Sequence, residues 1–224
     1  MKAMILAAGR GERMRPYTDT LPKPLLKIGG KYLIEYHLLA LQNAGIKDVV
    51  INHAYRGAQI EEALGSGQRF GMQIEYSAEG EAGLETGGGI YKALPLLGDQ
   101  PFIVVNGDVW TDYPFANLPQ HPPELAHLVL VENPEFHSEG DFSLADGYVS
   151  ESGPIRLTYS GIAVYQPAFF ANSQPGCYSV TPMLREAMAK RHVSGEYYDG
   201  QWVDVGTPER LDELDKCFRQ QSID

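Results

Sequence analysis

Apolar strands that alternate with helices constrain the fold of this chain more than any other feature. Three segments have the composition of strands, at Lys2–Leu6, Asp48–Asn52 and Pro101–Val105, and none shows the regular polar alternation of a strand with one face in water. Helical spacing of apolar residues fills the intervals, at Lys31–Asn43 and Tyr55–Leu64. Such strands need cover on both faces, so the sequence predicts an α/β fold with a mostly parallel sheet and helices on both of its faces.

Turn and capping residues predict the remaining elements. These are strands at Met72–Tyr76, Ala126–Val131 and Leu157–Tyr165, a hairpin at Phe142–Val149 around Asp146-Gly147, a helix capped by Thr86, a helix at Thr181–Ala189, and a last helix with Thr207 as N-cap and Pro208 at its first position. Because this half of the chain is less regular than the first, we expect residues 140–200 to form a mixed lid or substrate lobe.

Charge is distributed unevenly along the chain. The first 31 residues hold seven of the 18 Lys and Arg side chains and only two acids, a formal charge of +5, whereas the whole chain carries −11. An acidic protein is a poor partner for nucleic acid or an anionic membrane. No apolar run approaches the roughly 20 residues that span a bilayer. Gly9, Arg10 and Glu12 interrupt the first apolar run, so we expect no signal peptide. Cys177 and Cys217 lack metal or redox spacing, so we expect free thiols in a cytoplasmic protein.

The cationic segment follows a buried strand, as phosphate-binding loops do. Gly9 and Gly11 allow backbone N–H groups to approach phosphate oxygens, and Arg13 offers a forked guanidinium. Lys23 lies between two prolines that fix the backbone on either side. An ammonium held in this way suits a phosphate that gains charge in a transition state. Taken singly, each feature fits an ordinary structure better. The glycines are typical of a strand-to-helix turn with a surface arginine, and Lys23 is typical of a solvated lysine in a surface proline loop.

Two aspartates follow apolar segments. Asp108 comes just after the strand Pro101–Val105, where an acid is well placed to hold Mg²⁺ that bridges phosphates. Asp204 lies in an apolar segment before the last helix, where an acid is costly unless it is paired or bound to metal. The alternatives are an Asn-Gly hairpin turn before Asp108 and, at Asp204, a carboxylate satisfied by backbone N–H groups. The six histidines show no ligand spacing, and His37 lies on the apolar face of its helix, which predicts a core residue.

Five motifs, in this order, resemble those of the sugar-1-phosphate nucleotidyltransferases. They are LAAGRGERMRPYTDTLPKPLL, GLETGGG, VVNGD, SGIAVY and WVDVGTPERL. The resemblance implies the Rossmann-like nucleotide-diphospho-sugar transferase fold as a single domain over residues 1–224, with a nucleotide-binding core at about 1–120, a small mixed sugar-binding lobe at about 121–200, and a closing metal loop and C-terminal helix at about 201–224. The compact bacterial members that join UTP to N-acetylmuramate 1-phosphate in cell-wall recycling are most similar. Enzymes for mannose 1-phosphate with GTP, or for glucose 1-phosphate, are the alternatives.

The resemblance implies a role for each motif residue. Ala8, Gly9 and Gly11 would line the nucleotide, Arg13 would hold the β- and γ-phosphates, Lys23 would contact the α-phosphate, Glu79 and Gly83 would read the base edge, Asp108 and Asp204 would hold Mg²⁺, and Asn106, Gly147 and Gly161 would meet the sugar. The sugar's 1-phosphate oxygen would attack the α-phosphorus of UTP in line and release pyrophosphate, with Arg13 and Lys23 as the catalytic residues. Positioning and charge then suffice, which agrees with the absence of any evident nucleophile motif.

Several positions depart from the family pattern. Glu12 replaces a threonine before the signature arginine, and Glu85 and Gly87 replace the glycine and alanine of the usual Leu-Gly-Thr-Ala-Gly. The Glu-Glu-Lys-Pro run, whose lysine holds the sugar phosphate in many relatives, is missing, and Arg156 is the candidate substitute.

Two functions of other classes are less consistent with the sequence. A nicotinamide-dependent oxidoreductase would need a small residue where Met14 stands and an acid about 20 residues after the glycines, at the end of a second strand. A non-catalytic sugar-nucleotide sensor would need neither Lys23 nor both metal acids.

Overall fold

The computed structural model of the protein describes residues 1–221. Its helices are α1 (Leu33–Asn43), α2 (Gly57–Leu64), α3 (Glu85–Leu97), α4 (Thr181–Ala189) and α5 (Pro208–Gln221). Its strands are β1 (Lys2–Leu6), β2 (Lys27–Ile28), β3 (Lys31–Tyr32), β4 (Asp48–His53), β5 (Gln73–Ala78), β6 (Phe102–Asn106), β7 (Val109–Thr111), β8 (Ala126–Val131), β9 (Phe142–Ala145), β10 (Tyr148–Ser150), β11 (Arg156–Tyr165), β12 (Val193–Tyr198) and β13 (Trp202–Asp204).

One nine-stranded sheet has the order β5-β4-β1-β6-β11-β8-β12-β10-β9. The first four strands in this order, β5, β4, β1 and β6, are parallel. Ala3 of β1 lies level with Val49 of β4 and Ile103 of β6. The other half is mixed, because β11 runs antiparallel to β6 and β8 while β12 is parallel to β8. The predicted α/β class is confirmed. The wholly parallel half comes from the first 106 residues, and later strands extend the same sheet as its mixed half.

Alternate residues of β1 point to the two faces of the sheet. Ala3 and Ile5 belong to the core cluster that includes residues of α1 and α2, whereas Met4 belongs to the cluster that includes residues of α3 and α4. All three side chains are fully buried. Helices therefore cover both faces, as strands without polar alternation predict. His37 is also buried and lies on α1, as expected of a core residue.

A third core cluster anchors the cationic segment. Met14, Leu26 and Leu33 pack there with Val205 and with Leu211 of α5. The loop after β1 is thus fixed against the C-terminal part of the chain, although about 190 residues separate the two in sequence. This packing sets where the loop's cations stand.

Local structure confirms some turn signals and corrects others. The hairpin turn at Asp146-Gly147 and the bounds Thr181–Ala189 are observed as predicted. Thr86 does not cap α3; the N-cap is Leu84, and the Thr86 hydroxyl instead accepts the N–H of Val180 at 2.9 Å. The segment after Asp108, which shows no clean strand pattern, forms β7 because β13 pairs with it. No helix within residues 1–221 is long and apolar enough to cross a membrane.

Candidate active site

A cavity of about 460 Å³ opens at the carboxyl ends of β1 and β6. β4 lies on one side of β1 and β6 lies on the other, so the direction in which strands are added to the sheet reverses at β1. Open α/β sheets bind ligands at such a switch point, and the volume is typical of small-molecule sites. The walls are formed by residues 6–14, 82–86 and 106–108, with Lys23, Pro24, Asn52 and Gly206.

The turn after β1 forms the cationic wall of the cavity. Gly11 has a left-handed φ of 66°, which favours glycine, and its carbonyl accepts the Thr18 hydroxyl at 2.8 Å and the N–H of Met14 at 2.9 Å. Ala8, Gly9 and Arg13 line the cavity beside it. The Arg13 guanidinium is exposed and forms no hydrogen bond or ion pair with any other residue in the range 1–221. It is free to receive an anionic group.

Lys23 and Asp108 form an ion pair in the cavity wall. The Lys23 ammonium donates to Asp108 Oδ2 at 2.9 Å, and Lys23 is only 7% exposed. Asp108 comes just after β6, whose end is tied to β1 by a hydrogen bond from the Gly107 N–H to the Leu6 carbonyl at 2.8 Å. Motifs that are 85 residues apart in sequence therefore meet in one ion pair.

Asp204 ends β13, which pairs with the strand that begins just after Asp108. In the antiparallel pair β7–β13, Asp204 is level with Val109, and the Val205 N–H donates to the Asp108 carbonyl at 2.9 Å. The Asp204 carboxylate accepts Arg210 Nη1 at 2.6 Å, and the same nitrogen donates to the Asp204 carbonyl at 3.0 Å. The backbones of the two predicted acids are thus adjacent, and each carboxylate has a cationic partner. Asp108 lines the cavity, whereas Asp204 is not among the residues of its wall.

The donor set of Asp108 and Asp204 fits a hard divalent cation that is shared with a substrate. Mg²⁺ is usually bound by one or two carboxylates together with phosphate oxygens and water. No group of three or more His, Cys, Asp or Glu side chains in the described part of the chain could hold a metal by itself. A metal at these aspartates would therefore need ligands from a bound phosphate.

Glu79 lies behind the cavity wall rather than in it. It is 8% exposed, and its Oε1 accepts Asn52 Nδ2 at 2.6 Å while its Oε2 accepts the Leu84 N–H at 2.7 Å. Asn52 Oδ1 in turn accepts the Ala7 N–H at 2.8 Å. This chain of bonds ties the loop after β1 to the loop before α3. Gly83, the other residue predicted to meet the base, does line the cavity.

The predicted sugar residues fall into two groups. Asn106 lines the cavity, and Gly161 sits in a bulge of β11 against it, where a Cβ would stand 2.6 Å from Asn106 Nδ2. Gly147 lies in the hairpin turn, and its carbonyl accepts the Gly195 N–H at 3.0 Å. Arg156 donates to the Asp141 carbonyl at 2.7 Å. Of these four residues, only Asn106 belongs to the cavity wall.

Two residues of the site were not singled out from the sequence. Asn52 lines the cavity at the carboxyl end of β4, and Arg210 holds Asp204 from the first turn of α5. The sequence does contain a signal for Asn52. Like Asp108, it is a polar residue at the carboxyl end of an apolar strand. The Arg210 contact carries no such signal, since it depends on how α5 packs.

Comparison with known proteins identifies the family. A family model described as nucleotidyl transferase matches residues 2–141. The N-acetylmuramate alpha-1-phosphate uridylyltransferase of Neisseria meningitidis serogroup B is 53% identical over 95% of this chain and 96% of its own length. This chain belongs to the nucleotidyl transferase family.

Two further nucleotidyl transferases match at lower sequence identity. The mannose-1-phosphate guanyltransferase of Schizosaccharomyces pombe is 33% identical over 93% of this chain, which corresponds to 61% of its own length. The solved structure of the inositol-1-phosphate CTP transferase from T. maritima superimposes with a TM-score of 0.78 at 15% identity, covering 98% of this chain and 96% of that one. The structural likeness shows the shared fold. Family membership makes the protein an enzyme of the nucleotidyltransferase class.

Proposed function

We propose that the protein transfers the uridylyl group of UTP to N-acetylmuramate 1-phosphate, with release of pyrophosphate. One observation carries the proposal: a free Arg13 and an ion pair between the buried Lys23 and the partly exposed Asp108 line a cavity at the switch point of the sheet. This arrangement suits a polyphosphate and a cation. The choice of UTP and of this sugar is supported by the relative that is 53% identical, against 33% for the mannose-1-phosphate enzyme.

In this proposal the chain's residues act by position and charge. The triphosphate lies along Gly9, Gly11 and Arg13, and Lys23 stands where the α-phosphorus is attacked. The 1-phosphate oxygen forms the new P–O bond as the bond to pyrophosphate breaks, so no covalent enzyme intermediate is needed. Arg13 stabilises the leaving pyrophosphate, and Lys23 stabilises the group in transfer.

We propose Asp108 and Asp204 as the residues that hold Mg²⁺. When bound, the ion would offset negative charge on the triphosphate. Lys23 and Arg210 neutralise the two carboxylates in the structure, so each acid already has a defined position. Asn106, at the end of β6 in the nucleotide-binding core, and Gly161, in a lobe of about residues 121–200, are the proposed sugar contacts. Glu79 acts by fixing the loop that carries Gly83 and Leu84. The cytoplasmic location remains a prediction.

A substrate panel tests the proposal. Pyrophosphate release is measured with Mg²⁺ and each of UTP, GTP, dTTP and CTP, against N-acetylmuramate, N-acetylglucosamine, glucose and mannose 1-phosphates. We expect the highest kcat/KM for UTP with N-acetylmuramate 1-phosphate. A preference for GTP with mannose 1-phosphate would favour the guanylyl alternative, and no release with any pair would favour a sensor.

A further inference from the structure

Glu85 adopts a backbone conformation that its side chain disfavours, and it does so on the cavity wall. Its φ is 56°, in the left-handed region, at the start of α3. Left-handed φ costs any residue with a Cβ, and glycine avoids that cost. Non-glycine residues held in this region tend to cluster at functional sites, where surrounding structure enforces them. A glutamate here has to be explained.

The other left-handed non-glycine residues among residues 1–221 have explanations. Arg56 donates to the Asp19 carbonyl at 2.6 Å. The Arg191 guanidinium stacks 4.3 Å from the centre of the Tyr148 ring. Asp146 occupies a hairpin turn, where aspartate is common. In each case a contact or the turn chemistry accounts for the residue.

Glu85 has no such account within the protein. Its side chain is exposed and lines the cavity, and its carboxylate makes no hydrogen bond or ion pair with any other part of the described chain. A glycine at this position would relieve the backbone and remove no described interaction. Contacts within the protein therefore do not account for this glutamate, which points to a contact with a bound molecule.

We infer that Glu85 is a substrate-contacting residue whose carboxylate accepts a hydrogen bond from a hydroxyl or amide N–H of a bound substrate. An ionised carboxylate only accepts hydrogen bonds, and phosphate oxygens are also acceptors that carry negative charge. A direct contact between Glu85 and phosphate would be repulsive, so its hydrogen bond goes to a part of the substrate that is not phosphate. This inference rests on the proposed function and adds a specificity contact to it.

The donor belongs to one of two substrates. It is a hydroxyl or N–H of the nucleoside half of UTP, or one of the sugar 1-phosphate. Either source satisfies the same carboxylate chemistry. Separate measurement of the two KM values and of UTP binding by calorimetry tells them apart, because loss of the contact raises KM for the substrate that makes it.

Three variants test the inference. Glu85→Gly removes the carboxylate and the backbone cost, so the melting temperature should rise by about 2–4 °C while kcat/KM falls about tenfold or more. Glu85→Gln keeps the shape and the backbone conformation but loses the charge, and should lower kcat/KM by a smaller factor. Arg191→Gly removes a left-handed side chain outside the cavity and should leave both KM values unchanged.

The outcomes separate this inference from the proposed function. A wild type without pyrophosphate release would overturn both. An active wild type with Glu85→Gly and Glu85→Gln within twofold of its kcat/KM would overturn only the role of Glu85. A lower melting temperature for Glu85→Gly would contradict the backbone reasoning, because the side chain would then stabilise the fold.

Discussion

The substitution Gly9→Ala should raise folding stability while it weakens nucleotide binding. A Cβ built on Gly9 meets no heavy atom within 4 Å, and the φ of Gly9 lies outside the left-handed region. Alanine is therefore compatible with the folded backbone. Because alanine has fewer conformations than glycine in the unfolded chain, the free energy of unfolding should rise by about 0.4–1 kcal/mol.

Binding should respond in the opposite direction. If phosphate oxygens approach the backbone at Gly9, the added methyl group occupies their place and at least one charge-assisted hydrogen bond is lost. Such a bond contributes about 1.5–3 kcal/mol, which corresponds to a roughly 10- to 150-fold weaker Kd for UTP. Calorimetric titration with Mg·UTP measures the affinity, and denaturant unfolding measures the stability.

Gly176→Ala is the matched control. A Cβ there meets only the Tyr178 ring at an ordinary 3.5 Å, and Gly176 does not line the cavity. Its affinity for UTP should equal that of the wild type. If Gly9→Ala folds normally and binds UTP as tightly as this control, the triphosphate does not lie along the turn after β1.

Further substitutions address charge, pH and packing. Lys23→Ala should lower kcat far more than it raises KM for UTP, because the ammonium acts in the transition state; steady-state kinetics with an effect on KM alone would contradict this. Burial lowers the pKa of His37 from 6.5 to about 4, so between these values the unfolded chain binds the proton first. The free energy of unfolding should fall by roughly 3 kcal/mol as pH drops from 6.5 to 4, and His37→Gln should lose most of that slope in denaturant titrations. In Gly88→Ala the new Cβ would stand 2.0 Å from the Gly176 carbonyl oxygen. We therefore expect the free energy of unfolding to fall by about 1–3 kcal/mol. An unchanged melting temperature would show that segment 176–180 moves aside without cost.

Much of the fold follows from local sequence signals. The apolar run of β1 and the Asp146-Gly147 turn are formed by residues close in sequence, and their chemistry predicts them directly. The sequence also predicts where Asp108 lies, because it follows a strand and the carboxyl ends of parallel strands share one edge of the sheet. From the sequence, the Thr86 hydroxyl could equally cap a helix or form another hydrogen bond. Its bond to the Val180 N–H forms only when the chain folds, so the local sequence does not predict it.

The remainder of the site depends on long-range packing. The bond from Asn52 to Glu79 joins the ends of two strands, and no spacing in the sequence indicates it. Arg210 reaches Asp204 only because the third core cluster docks α5 against the loop after β1. Nor does the sequence show that Glu85 takes a left-handed φ, since the glutamate itself disfavours that conformation.

A structure of the protein with Mg²⁺ and a UTP analogue that resists cleavage between the α- and β-phosphates is the most direct test. The triphosphate should lie along residues 8–13 with its α-phosphate next to Lys23, and the metal should be bound by both Asp108 and Asp204. A nucleotide bound outside the cavity, or a metal that touches neither aspartate, would contradict the account.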